Sequence, residues 1–96
     1  MVFENILDAI GGTPIVKLQR MPEADSAEIL VKVEALNVGG SIKTRTAYNM
    51  LREAAAQGIL TKDSIICEPT SGNQGIGIAL VGAVCGYRVE IVMPDS

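Results

Sequence analysis

Ser64-Ile-Ile-Cys-Glu-Pro-Thr-Ser-Gly-Asn-Gln-Gly-Ile-Gly77 runs into Ile78-Ala-Leu-Val-Gly-Ala-Val-Cys85, then Gly86, then Arg88-Val-Glu-Ile-Val-Met93. The first five residues read as a strand, and Pro69 closes it because proline cannot donate to a sheet ladder. Residues 70–77 open a helix that continues to Cys85 and stops at Gly86. Apolar residues occupy nearly every side of it, so burial between layers is expected. Arg88 to Met93 reads as the next strand, ended by Pro94. Strand, buried helix and strand make a βαβ unit, which implies parallel strands and a right-handed connection. The fold class is therefore α/β, an open parallel sheet in a three-layer βαβ arrangement.

Upstream lies Asn37-Val-Gly-Gly-Ser-Ile-Lys-Thr-Arg45, a loop that turns into a helix. Gly39 and Gly40 let the backbone take positive φ or approach a ligand closely. Ser41 is a good N-cap, and the helix runs to about Gln57 with Gly58 as its C′ residue. Ala47, Met50, Leu51 and Ala54 follow helical spacing and are expected to face a sheet. Before the loop, Glu28 to Leu36 reads as a strand with one face buried more than the other. Residues 4–10 read as a short helix stopped by Gly11-Gly12, and Ile15 to Leu18 as a brief extended run. Pro22 and the polar residues after it make a surface loop.

The 96 residues fall below the usual domain size of about 100–150. They suffice for one modest core, and with Phe3, Tyr48 and Tyr87 as the only aromatics that core is aliphatic. A net charge of −3 offers no basic footprint for nucleic acid. Cys67 and Cys85 are too few and too separated for a metal motif, so no metal site is expected. Both lie in apolar stretches and read as buried free thiols, which suits a reducing, cytoplasmic setting. The N-terminus has no secretory pattern. Ile76 to Cys85 is far short of the ~20 residues that span a bilayer, so no membrane partner is expected.

Lys43 and Arg45 place two cations at the positive end of a helix dipole, where each is disfavoured by about 0.3–1 kcal/mol. The helix end and Arg45 both favour a neutral Lys43 amine, the form that attacks a carbonyl. In open α/β sheets, ligands gather beyond the carboxyl ends of strands, and both loops are expected there, after strands ending near Leu36 and Glu68. The second loop offers the hydroxyls of Thr70 and Ser71, the amides of Asn73 and Gln74, and backbone N–H groups suited to an anion. Lysine plus anion cradle suggests a carbonyl compound or an amino acid. The glycines at 72, 75 and 77 match no dinucleotide fingerprint. On spacing alone the turn reads equally well as a close-packing device.

Four stretches occur in the order and spacing of one family: Ile10-Gly-Gly-Thr-Pro14, Asn37 to Lys43, Glu68 to Gly77 and Val92-Met-Pro94. With them the whole chain resembles the N-terminal third of cysteine synthase (O-acetylserine sulfhydrylase), and next cystathionine β-synthase, pyridoxal-phosphate enzymes of fold type II. The resemblance implies pyridoxal phosphate as cofactor, with Lys43 bonding it covalently and later moving protons. Asn73 would hydrogen-bond its ring oxygen, and Thr70, Ser71, Gly72, Asn73 and Gln74 would grip the amino-acid carboxylate. The implied reaction is β-replacement, O-acetylserine plus sulfide to cysteine. Three positions depart from the family pattern: Val38 for the usual proline, Thr44 for aspartate and Gln74 for threonine. The last bears on substrate geometry more than on the cofactor. A cystathionine β-synthase-like or dehydratase activity is an alternative, as is a non-catalytic half-domain. The family's phosphate loop and pyridine-nitrogen partner come later than Ser96, so residues 1–96 are expected to be a single incomplete domain. On that expectation the chain is a fragment, inactive alone, and its exposed apolar surface favours a homodimer or other association.

Overall fold

The computed structural model describes residues 1–70 and 72–95. Strands β1 (Ile15–Lys17) and β2 (Leu30–Lys32) come first, then helix α1 (Lys43–Ala56), strand β3 (Ile65–Pro69), helix α2 (Asn73–Cys85) and strand β4 (Arg88–Val92). β3 and β4 pair in parallel, Ile65 beside Arg88 and Pro69 beside Val92, with α2 as the crossover. The βαβ reading of residues 64–93 thus holds. Ile66, Glu68, Val89 and Ile91 are half-buried, while the residues alternating with them are exposed. One sheet face therefore lies under α2 and the other is open.

α1 packs on α2, and α2 packs on β4. The buried apolar residues are Leu7, Ala47, Leu51, Ile78 and Val81, with Ile10, Tyr48, Leu60, Ile66, Val89 and Ile91 around them. Two glycines of α2 make this stacking possible. A Cβ at Gly77 would lie 3.0 Å from both Ala47 Cβ and the Lys43 carbonyl oxygen. A Cβ at Gly82 would collide with Val89 Cγ2. α2 ends as expected, with Gly86 at φ +80°, and α1 ends before Gly58 at φ +76°.

Several expectations are corrected. The stripe on α1 faces α2 instead of a sheet, and Met50, at its edge, is 52% exposed. α2 is buried on one side only: Gly75, Gly77, Ile78, Val81 and Gly82 are covered, whereas Ile76, Ala79, Ala83 and Val84 are exposed. Among the described residues, α1, the sheet and the 3-10 segments Ile6–Ala9 and Val38–Gly40 pack on it, and none of them covers the far side. Cys67 and Cys85 are free but exposed; Cys67 sits on the open sheet face and Cys85 at the last residue of α2.

The largest correction concerns residues 28–36. Only Leu30–Lys32 is strand, and it pairs antiparallel with β1, Val16 opposite Val31, in a separate exposed ribbon. Glu34–Leu36 turns into a 3-10 segment. Polar side chains here compete with a sheet ladder for the backbone: Asn37 Oδ1 accepts from the N–H groups of Val38 and Gly11. The loop before Lys43 therefore does not follow a strand of the parallel sheet. Within residues 4–10, Ile6–Ala9 form a 3-10 turn, with Asn5 Oδ1 accepting from the Leu7 N–H at 2.8 Å.

Candidate active site

The segment before α1 is fixed at its start by Asn37, which is 6% exposed. Its Oδ1 accepts from Val38 N–H at 2.9 Å and Gly11 N–H at 3.0 Å, and its Nδ2 donates to Glu34 Oε2 at 3.2 Å. Gly39 and Gly40 both take φ near +80°, the left-handed region that glycine reaches without a Cβ penalty. A Cβ on Gly39 would also strike Thr44 Oγ1. That hydroxyl is buried and has no hydrogen-bond partner among the described residues. Ser41 Oγ accepts from Lys43 N–H at 3.2 Å. The serine thus serves the helix end, although Ile42 holds the cap position.

Lys43 is the first residue of α1 and is exposed, and the first turn contains no acid. Arg45 is not the unpaired neighbour expected of it. Its Nη2 lies 2.9 Å from Glu34 Oε1, its Nε donates to both Glu34 oxygens at 3.0 and 3.2 Å, and its Nη2 reaches Thr13 Oγ1 at 3.3 Å. Thr13 Oγ1 in turn donates to Glu34 Oε1 at 2.9 Å. The Arg45 hydrogen bond, with smaller help from Thr13 and the charge of Lys32, holds the Glu34 carboxyl below its ordinary range against the opposing effect of burial. Sequence reasoning missed this cluster. Its members lie 11 to 32 residues apart, so no periodicity marks them; the one local hint is a glutamate three residues before a buried asparagine.

At the second loop, Thr70 N–H donates to Val92 O at 2.8 Å, and Thr70 Oγ1 accepts from Gly72 N–H at 3.2 Å. The Thr70 hydroxyl therefore shapes the turn. Ser71 lies outside the described residues. Gly72 is exposed, with nothing within 4 Å of where a Cβ would stand, and Asn73 is the exposed first residue of α2. The Gln74 amide lies 3.8 Å from Met50 Sδ, so it leans toward α1. Thr70 and Gly72 share a crevice of about 280 Å³ with Gly75, Ile76, Ala79, Ile91 and Met93. Lys43 does not line it. Its backbone meets α2 at Gly77, on the flank facing α1, whereas Gly75 faces Thr70 and Ile91. The first turns of the two helices are thus brought into contact, with the lysine on one flank of α2 and the threonine on the other.

The model of the pyridoxal-phosphate-dependent enzyme family matches residues 6–96. The chain belongs to that family. A cysteine synthase of Flavobacterium sp. is 54% identical over 96 residues, which are all of this chain and 31% of that protein. The solved O-acetylserine-dependent cystathionine β-synthase of Helicobacter pylori superposes with a TM-score of 0.92 at 36% identity, covering 100% of this chain and 32% of that one. A solved O-ureido-L-serine-bound K43A mutant of O-ureido-L-serine synthase gives a TM-score of 0.89 at 47% identity, over 100% of this chain and 30% of that one. The chain thus spans about a third of the length of the relatives it matches, and it has their fold-type-II α/β architecture. Pyridoxal phosphate is the cofactor of the family. The residues present fit part of it: an exposed primary amine at Lys43 suits its aldehyde, and the open turn at Gly72 with the Asn73 amide suits a polar ring edge. No helix of the described residues is long and apolar enough to cross a membrane.

Proposed function

We propose that this chain is the lysine-bearing portion of an enzyme that replaces the β-substituent of an activated serine, with O-acetylserine and sulfide giving cysteine and acetate. The observation that carries this reading is the contact at Gly77, which holds the backbone of Lys43 against the helix opened by the 70–74 turn. The K43A variant of O-ureido-L-serine synthase, solved with O-ureido-L-serine bound, supports it, since the exchanged lysine has the number of Lys43 here. When bound, pyridoxal phosphate supplies the electron sink. Lys43 holds the cofactor and carries a proton from the substrate α-carbon and back. Asn73 donates to the cofactor's ring oxygen. The turn of Thr70, Ser71, Gly72, Asn73 and Gln74 binds the substrate carboxylate through its amides and hydroxyls. Gln74 takes part chiefly through its backbone, because its side chain is drawn toward Met50.

Residues 1–96 make up a single incomplete α/β domain in this reading, which works in a reducing cytoplasm and associates through apolar surface, as a homodimer or with the rest of the fold. A second reading is cystathionine β-synthase-like chemistry, with an organic thiol in place of sulfide; the H. pylori likeness favours it. A third is a half-domain that only binds a partner, favoured by the open sheet face.

The test is to incubate the chain with pyridoxal phosphate, reduce with borohydride and map the label. Label concentrated on Lys43 over Lys17, Lys32 and Lys62, and lost in Lys43→Ala, is the expected result. Equal labelling of all four overturns the enzymatic reading and leaves the partner-binding one. In a chain completed with the remaining family segments, sulfide or homocysteine turnover separates the first two readings.

A further inference from the structure

Glu34 gathers three partners onto one carboxylate whose side chain is 16% exposed. Thr13 Oγ1 donates at 2.9 Å, Asn37 Nδ2 at 3.2 Å and Arg45 Nε at 3.0 and 3.2 Å, with Arg45 Nη2 at 2.9 Å. Asn37 begins the lysine segment, and Arg45 lies just beyond the lysine. Both ends of that segment are therefore tied to a single group. Between them the chain has few bonds of its own: Gly40 N–H to Asn37 O at 2.9 Å, Lys43 N–H to Ser41 Oγ at 3.2 Å and Arg45 N–H to Ile42 O at 3.1 Å. Two adjacent glycines at positive φ add backbone freedom there. The conformation of residues 38–42 is thus held at both ends by these bonds, with Val38–Gly40 packed between them on α1 and α2.

Arg45 follows Lys43 by two residues, which is about 200° around a helix. The two side chains leave α1 on opposite faces. Clamping Arg45 to Glu34 fixes the rotation of the first turn about its axis, and with it the direction in which Lys43 leaves the helix. We propose that Glu34 is a positioning residue for Lys43, acting through Asn37 and Arg45. The inference rests on the function proposed above, in which Lys43 is the reacting amine.

The test compares the 96-residue chain with Glu34→Gln, which keeps the shape of the side chain and removes its charge. Circular dichroism checks that the helices persist. Two readouts follow, the ratio of reduced pyridoxyl label on Lys43 to that on exposed Lys62, and amide hydrogen exchange at residues 38–44 against residues 78–84. The expected result is a labelling ratio several-fold lower in Glu34→Gln. Exchange at 38–44 should also be about tenfold faster, as loss of a charge-assisted contact would give, with 78–84 unchanged. A folded variant with the wild-type labelling ratio overturns the inference, whatever its exchange rates. A uniform rise in exchange across both segments also overturns it, because the cluster is then only a general support of the fold. Should Glu34→Gln fail to fold, Thr13→Val removes one hydrogen bond and leaves the carboxylate. The same two measurements are made on it, and the same results sustain or overturn the inference. A wild-type chain without preference for Lys43 rejects the proposed function and this inference with it. A wild-type preference that survives the substitution rejects the inference alone.

Discussion

A carboxylate that accepts from a guanidinium, a hydroxyl and an amide ties the acid stability of the chain to one residue, Glu34. Its folded-state value lies below the ordinary 4.5, owing first to the Arg45 hydrogen bond. Between the two values the unfolded state binds more protons than the native one, so stability falls as pH falls. The contribution is fully present above the ordinary carboxylate range and is lost as pH drops through the lowered native value. Urea unfolding followed by circular dichroism should show the midpoint declining below about pH 4.5, with a smaller decline in Glu34→Gln. Asn73→Ala should behave differently. The side chain is exposed at the start of α2, so the unfolding free energy should stay within about 0.5 kcal/mol of wild type while turnover in a completed enzyme drops. The unfavourable placement of Lys43 at the start of a helix was legible in the sequence, because a loop with two glycines and a capping serine precedes it. Glu34 was not, since its meaning depends on Thr13 and Arg45, which only the folded chain brings to it.

Gly77 governs how the two helices meet. Replacing it with alanine gains about 1 kcal/mol of helix propensity. The new Cβ, however, would press on the Lys43 carbonyl and on Ala47 Cβ at 3.0 Å and on Thr44 Cα at 3.2 Å. Two of those three neighbours are backbone atoms, which yield only if the helix moves. Overpacking of this kind costs about 1–3 kcal/mol, so Gly77→Ala should be neutral to mildly destabilising and Gly77→Val clearly destabilising, measured as thermal midpoints. The pattern at 64–93 told strand from helix because proline and glycine punctuate it at both ends. The apolar run at 28–36 misled because β-branched residues mark an exposed ribbon as readily as a sheet interior, and side-chain capture of backbone at Asn37 leaves no periodic trace. Met50 shows the same limit. Helical spacing places it on the stripe, but whether the stripe's edge is covered depends on the neighbouring element, here a narrow glycine-bearing helix.

The molecule as a whole is more open than its length suggests. The radius of gyration is 17.0 Å, against about 12.5 Å for a compact chain of this size. The accessible surface is 6971 Å², against about 5300 Å² for a compact monomer of the same mass. The excess follows from the β1–β2 ribbon, the uncovered side of α2 and the open face of the β3–β4 sheet, where Val92 is 57% exposed. Such surface drives association, and sedimentation should show a concentration-dependent mass that falls in Val92→Lys. Both free thiols are exposed, so each should react with a thiol reagent in the native chain about as fast as in urea. The small aliphatic core and the family architecture were legible in composition and motifs. Which faces stay bare was not, because apolarity records what a residue prefers and says nothing of what lies beside it.

The missing side chain at position 77 has a mechanical consequence. Main chain touches main chain there, so no rotamer change can absorb a shift of one helix relative to the other. In the proposed function, a substrate that pulls on the 70–74 turn would pull on the lysine's own peptide unit, and the two halves of that site would answer as a single stiff part.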